Sequence, residues 1–293
     1  MRRRGASRSC TASRSCPEHS RAPAGAERRS AVALSGAAKT WPNGTRALDP
    51  IDLEVRRGEF LTVLGPSGCG KSTLLHLIAG LEAPTSGDIA WWGAPFERTG
   101  TSGRRLAMVF QAPTLMPWAR VDANVRLPLS LAGTPRDEAD RAVDDALALV
   151  GLADSARRWP RELSGGMQMR ASIARALVTR PDLLLMDEPF GALDEFTRAR
   201  LDDELSALWR ERGLTVVFVT HSIHEAVYLS TRVAVMGPRP GRLVDEVEID
   251  EPFPRGERFR VTTAFAGYAE RLSRRIAEAG GGIPDDAGRS RRR

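Results

Sequence analysis

The stretch Phe60-Leu61-Thr62-Val63-Leu64-Gly65-Pro66-Ser67-Gly68-Cys69-Gly70-Lys71-Ser72-Thr73 decides the reading of this chain. A run of strand length, mostly apolar, passes straight into a glycine-rich turn, and from Thr73 to Ala79 the pattern turns helical. Strand, loop and helix in that order are the context in which such a loop binds phosphate. The glycines let the backbone bend so that successive N–H groups point at phosphate oxygens, and the helix N-terminus adds a favourable dipole. Lys71 offers a cation to the β- and γ-phosphates, and Ser72 offers a hydroxyl to Mg2+. The chain has only two lysines, Lys39 and Lys71, so a chance match at the lysine position is rare. Cys69 reads as a small filler within the loop, its thiol somewhat acidified by the helix N-terminus.

Outward from this loop, two further apolar runs end in chemically useful residues. Leu183–Met186 leads into Asp187-Glu188-Pro189, and Thr215–Val219 leads to His221. Helical patterns separate these strands, so the expected core is a parallel sheet in an α/β layer. Strand alternation sends Asp187 and Glu188 to opposite sides. Beside a phosphate loop, the first carboxylate at such a strand end helps to hold Mg2+ and the second polarises the attacking water as a general base. Residues 31–63 read as short β segments, with Ile51–Val55 alternating; residues 112–178 read as a helical insertion, with a helix through Pro135–Val150 and another after Gly166. Beyond 240, Val244–Ile249 alternates like an edge strand, and Val261, Phe265, Tyr268, Leu272 and Ile276 form an apolar stripe at helical spacing, read as a helix packing on the domain.

Composition narrows the class. With 293 residues, 42% hydrophobic and 27% charged, the chain is globular rather than fibrous or wholly disordered. No run approaches the ~20 apolar residues of a membrane span. Cys10, Cys16 and Cys69 make neither a disulfide scaffold nor a zinc module. The N-terminal MRRR has no apolar stretch behind it, which argues against an export signal and for a reducing cytoplasm. The net charge of +6 is carried within residues 1–30, where eight Arg meet two Glu, and the rest is formally neutral. That segment reads as a disordered Arg/Ser-rich leader and residues 279–293 as a disordered basic tail, so no nucleic-acid partner is expected.

Leu163-Ser164-Gly165-Gly166-Met167 is a weak signal alone, but it lies between the phosphate loop and the Asp187-Glu188 pair. With Gln111 after the strand Leu106–Phe110, then Asp194 and His221, the order of parts resembles that of the ATP-binding cassette (ABC) ATPases over about residues 31–250. The resemblance implies a P-loop NTPase fold with a RecA-like parallel-sheet core, an antiparallel β subdomain and an α-helical subdomain. It implies that Trp41 stacks on adenine, that Gly65, Pro66, Ser67, Gly68, Cys69, Gly70, Lys71, Ser72 and Thr73 hold the phosphates, and that Ser72, Gln111 and Asp187 reach Mg2+. It further implies that Glu188, His221 and Gln111 act on the attacking water. Ser164, Gly165, Gly166 and Asp194 would serve an ATP held by a second copy, two ATPs being sandwiched in a homodimer. Met167, Met169 and Ser222 stand where Gln, Gln and Asp are frequent in the family.

Within the family, Gln111–Trp118, Val121–Val125, Gly191–Arg198 and Pro238-Arg239-Pro240-Gly241-Arg242 look like the importers of nitrate, aliphatic sulfonates and taurine. That likeness implies an ATPase at the cytoplasmic face of the inner membrane, docked on integral membrane permease subunits that an extracytoplasmic substrate-binding protein feeds. The alternatives are an exporter cassette or a soluble, non-transport ABC ATPase. The compact span between Lys71 and Ser164 argues against the long insertion of the soluble class.

Overall fold

The computed structural model describes residues 30–95, 104–191 and 193–280; the leader, Cys10, Cys16, Ala192 and the basic tail lie outside the described residues. The chain begins with two long antiparallel strands, β1 (Ser30–Thr40) and β2 (Arg46–Arg56), the first starting at the last residue assigned to the leader. β3 (Phe60–Leu64) then enters the phosphate loop and α1 (Lys71–Ile78) leaves it. β4 (Ser86–Trp91) and β5 (Ala94–Pro95) complete a four-stranded antiparallel sheet in the order β2-β1-β4-β5.

The second sheet gathers β6 (Leu106–Val109), β7 (Leu183–Asp187), β8 (Thr215–Thr220), β9 (Arg232–Met236) and β10 (Leu243–Glu248) around β3, in the order β10-β9-β3-β8-β7-β6. All its pairings are parallel except that of the edge strand β10 with β9. Both faces are buried, which explains the near-continuous apolar strands. Leu183 and Leu185 point with Leu61, Val63, Val217 and Val219 into a core shared with α1 and the antiparallel sheet. Leu184 and Met186 point with Phe60, Val216 and Phe218 into the opposite core, built largely from helices. One sheet thus carries two cores, by the two-residue period of a strand.

The helical region consists of α2 (Val121–Leu131), α3 (Arg136–Leu149) and α4 (Gly165–Leu177). Residues 112–120, within the expected helical insertion, carry no helix. The fully buried Asn124 of α2 instead braces this loop: its side-chain amide donates to the carbonyls of Met116, Ala119 and Arg120, and its side-chain oxygen accepts from the Met116 N–H. α5 (Glu195–Arg212) and α6 (Ile223–Leu229) follow the strands β7 and β8.

The last helix, α7 (Thr263–Ala279), packs on the domain as expected, with Phe265 and Leu272 buried. Val261 does not join its stripe. Thr262 caps the helix by accepting the Phe265 N–H at 3.1 Å, so Val261 lies before the cap and is 85% exposed. The segment ahead of α7 is tied down by Arg255, which donates to the carbonyls of Val227, Tyr228, Ser230, Ile249 and Glu251. Arg260 lies over the Tyr228 ring and reaches Asp202 of α5 at 2.9 Å.

Asp202 supplies a pH-dependent contribution to stability. Burial pushes its carboxyl up to about 7, with help from Glu225 and Asp203 and against the pull of Arg260. The folded chain therefore keeps a proton that an unfolded aspartic acid, at about 3.9, has released. This group's contribution is full below about pH 4 and declines as the pH rises to about 7. Asp202→Asn keeps an acceptor for Arg260 but cannot ionise. Its melting temperature relative to the native chain should climb between about pH 4 and pH 7 and then level off. A difference that stays flat across that range would show that Asp202 is ionised throughout.

Candidate active site

The phosphate loop is shaped by close packing. Gly70, the cap residue of α1, has φ 106° and no side-chain cap, and a Cβ there would lie 2.9 Å from the Ala47 carbonyl oxygen. Only glycine fits both the left-handed backbone and the close approach. The first turn of α1 contains no acidic residue, so its N–H groups are open to an anion.

Lys71 is 4% exposed, and its Nζ donates to the carbonyls of Gly65 at 3.0 Å and Pro66 at 3.1 Å while standing 3.3 Å from Glu188 Oε1. Ser72 Oγ donates to Asp187 Oδ1 at 3.1 Å. Burial pushes the Asp187 carboxyl up, an effect that the Ser72 hydrogen bond opposes and the nearby Glu188 reinforces. A buried carboxylate beside a hydroxyl is a hard-oxygen donor set of the kind Mg2+ takes, with one or two protein oxygens and the rest from phosphate and water. Among the described residues there is no cluster of three or more His, Cys, Asp or Glu that would make a cage for a softer metal.

Glu188 is directed by its own backbone rather than by strand alternation. β7 ends at Asp187, and Glu188 adopts φ 43°, a left-handed conformation that costs a non-glycine residue roughly 1–3 kcal/mol. Its N–H is held by the Val219 carbonyl at 2.9 Å, and its carboxylate is placed between Lys71 and His221, whose Nδ1 lies 3.0 Å from Oε2. Against a carboxylate acceptor Nδ1 is the donor, which leaves Nε2 free.

A cleft of about 390 Å3 brings Trp41, Ser67, Gly68, Gly70, Lys71, Ser72, Thr73, Gln111 and Glu188 together. Gly65 and Pro66 lie behind it, their carbonyls on Lys71. Cys69 is 1% exposed and packed in the core, and burial pushes its thiol up, so the expected acidification is corrected: desolvation outweighs the helix terminus and Lys71. Ser164, Gly165, Gly166 and Asp194 do not line this cleft. Ser164 caps α4 through the Met167 N–H at 3.3 Å, and Asp194 caps α5 through the Thr197 N–H at 3.0 Å. The two helix starts meet where a Cβ on Gly166 would lie 3.1 Å from Thr197 Cγ2. Met169 is buried and Met167 partly so, both packed in the helical core, and Ser222 caps α6 through the Glu225 N–H. A separate cavity of about 450 Å3, between Ala146, Leu177 and Leu208, holds none of the site residues.

Three cleft residues, Thr45, Ala47 and Arg239, have no assigned role in the sequence reading, and of these Arg239 alone is charged. Arg239 donates from Nε to the Gly68 carbonyl at 2.9 Å and lines the cleft beside Trp41. Its signal was the Pro-Arg-Pro-Gly-Arg stretch, which served only as a mark of subfamily likeness.

An ATPase cassette is the class that this sheet, loop and carboxylate arrangement defines. The ABC transporter family profile matches residues 48–191. The aliphatic sulfonates import ATP-binding protein SsuB of Bacillus licheniformis is 45% identical over 211 residues, 72% of this chain and 80% of that one. The taurine import ATP-binding protein TauB of Roseobacter denitrificans is 46% identical over 210 residues, covering 71% and 77%. Among solved structures, the dimeric bacterial ABC transporter cassette MJ0796 superposes with a TM-score of 0.67 at 32% identity, covering 75% of this chain and 100% of that one. The same cassette has been solved as a dimer in a post-hydrolysis state bound to ADP and Pi. The chain belongs to the ABC transporter family and is an ATP-binding cassette of it.

Proposed function

We propose that this chain is the ATP-hydrolysing subunit of an importer, and that it drives uptake of a small anion such as an aliphatic sulfonate, taurine or nitrate through a separate permease. The observation that carries the catalytic half is the Lys71–Glu188–His221 arrangement, in which Glu188 of the cleft lies between the other two. Trp41 stacks on the adenine, the loop from Gly65 to Thr73 and the start of α1 hold the phosphates, and Lys71 exchanges its carbonyl partners for phosphate oxygens. Ser72, Asp187 and Gln111 would hold Mg2+, which would supply neutralisation of phosphate charge. Glu188 takes the proton from the attacking water, and His221, hydrogen-bonded to it through Nδ1, fixes the carboxylate's direction.

The site is completed by a second copy. Ser164, Gly165 and Gly166 form a helix start with nothing within 4 Å of the Cβ position of Gly165, an open N–H surface suited to a phosphate from outside the protomer. Asp194 lies beside it and contacts the partner across the homodimer. Transport is supported by the import functions in the names of the relatives. Among the described residues no helix is long and apolar enough to cross a membrane, so the path for the anion is assigned to integral membrane permease subunits. The cassette sits peripherally on the cytoplasmic face of the inner membrane, and an extracytoplasmic binding protein delivers the anion.

Affinity purification of the tagged chain from gently solubilised membranes, followed by mass spectrometry, tests the transport half. A permease of the sulfonate, taurine or nitrate type should accompany it in stoichiometric amount. Recovery with ribosomes or nucleic acid, and without a membrane protein, would assign the chain to the soluble ABC ATPases instead.

A further inference from the structure

The loop Pro238–Arg242 lies far from the phosphate loop in sequence but is built against it. Gly241 donates its N–H to the Ala47 carbonyl at 2.9 Å, and its own carbonyl accepts the Asp49 N–H at 2.8 Å. A Cβ on Gly241 would stand 2.1 Å from the Cys69 carbonyl oxygen, so the two loops are in backbone contact there. This seat brings Arg239 to the cleft with its Nε already spent on Gly68.

Two cations line the cleft, and they are in different states. Lys71 is buried and fully engaged by two carbonyls and Glu188. Arg239 is exposed, and its terminal Nη1 and Nη2 groups have no hydrogen-bond partner among the described residues. A guanidinium fixed at one edge, with its fork open, is the arrangement that takes a phosphate oxygen through paired N–H donors.

Resting on the reading of the cleft as an ATP site, we propose that Arg239 is a nucleotide-binding residue, its terminal N–H groups pairing with the polyphosphate at the open side of the cleft. The bond to Gly68 presets the side chain, so little rotamer entropy remains to be lost on binding. The same bond allows a competing role, in which Arg239 only holds the loop in shape, and the test must separate the two.

Arg239→Ala, Arg239→Lys and Arg239→Gln would be titrated with ATP and Mg2+ by calorimetry on the full chain, with the melting temperature of the nucleotide-free protein recorded for each. Removing a charge-assisted contact of this kind should weaken ATP binding about tenfold in Arg239→Ala. Arg239→Gln can still donate to the Gly68 carbonyl but has no charge, and should bind as weakly as the alanine variant. Arg239→Lys should recover part of the affinity, and all three should melt with the native chain. Full affinity in Arg239→Gln would assign the side chain to loop support and overturn the proposal. Native-like affinity in Arg239→Ala, with normal binding by the native chain, would overturn it as well. If the native chain bound no ATP, the reading of the cleft itself would fail, and this proposal with it.

Discussion

Glu188→Gln should lower ATP turnover by about 10²–10⁴-fold while leaving ATP binding intact. The substitution keeps the length of the side chain and an oxygen for His221 Nδ1, which lies 3.0 Å from Oε2, but it removes the base that takes the water's proton. It also removes a negative charge 3.3 Å from Lys71 Nζ, which frees the ammonium for phosphate and favours the bound state. Binding without hydrolysis should accumulate the two-copy sandwich. Light scattering behind size exclusion should report a dimer in ATP and a monomer without it. A variant that turns over ATP at the native rate would take Glu188 out of the base role, and one that stays monomeric in ATP would contradict the sandwich.

Lys71→Ala should have an effect of comparable size by another route. Its ammonium is buried and positioned by two loop carbonyls, so the variant loses both a phosphate contact and the group that organises Gly65 and Pro66. A charged hydrogen bond to phosphate contributes about 1.5–3 kcal/mol, so affinity should fall about ten- to a hundredfold. Hydrolysis should fall further, since the charge on the γ-phosphate in the transition state is then left without this cation. Fluorescence titration with a labelled ATP separates the two losses. Undiminished turnover would remove the phosphate-loop assignment altogether.

The parts of this site that were legible in sequence are those fixed by short-range chemistry. The spacing from Gly65 to Ser72 carries its own mechanism, and the apolar strand before it is fully buried, as its composition demanded. Leu183–Met186 was read correctly as a strand because both of its faces are covered, leaving no polar position to interrupt the run. What escaped was set by long-range packing. Nothing near Cys69 foretells that the core between α1 and the two sheets will bury its thiol and reverse the expected shift. Glu188 was nominated by its type, but the left-handed backbone that aims it lies outside the logic of strand alternation. Arg239 meets Gly68 across 171 positions of sequence, a contact that no local pattern encodes. β9 was also missed: its apolar run Val233–Met236 is short and opens on Arg232, a charge that the fold buries by pairing it with Glu59 and Glu246.

The pairing of Lys71 with Glu188 bears on which anions the cleft admits. The cation is satisfied by two carbonyls and a carboxylate, so a small anion that makes a single contact gains little by displacing them. A chain of phosphates on an adenosine replaces all three at once, while Trp41 and the start of α1 hold its remaining length. Cellular inorganic phosphate and sulfate should therefore be poor competitors for this site even at concentrations far above that of ATP. The cassette would then ignore the background of small anions.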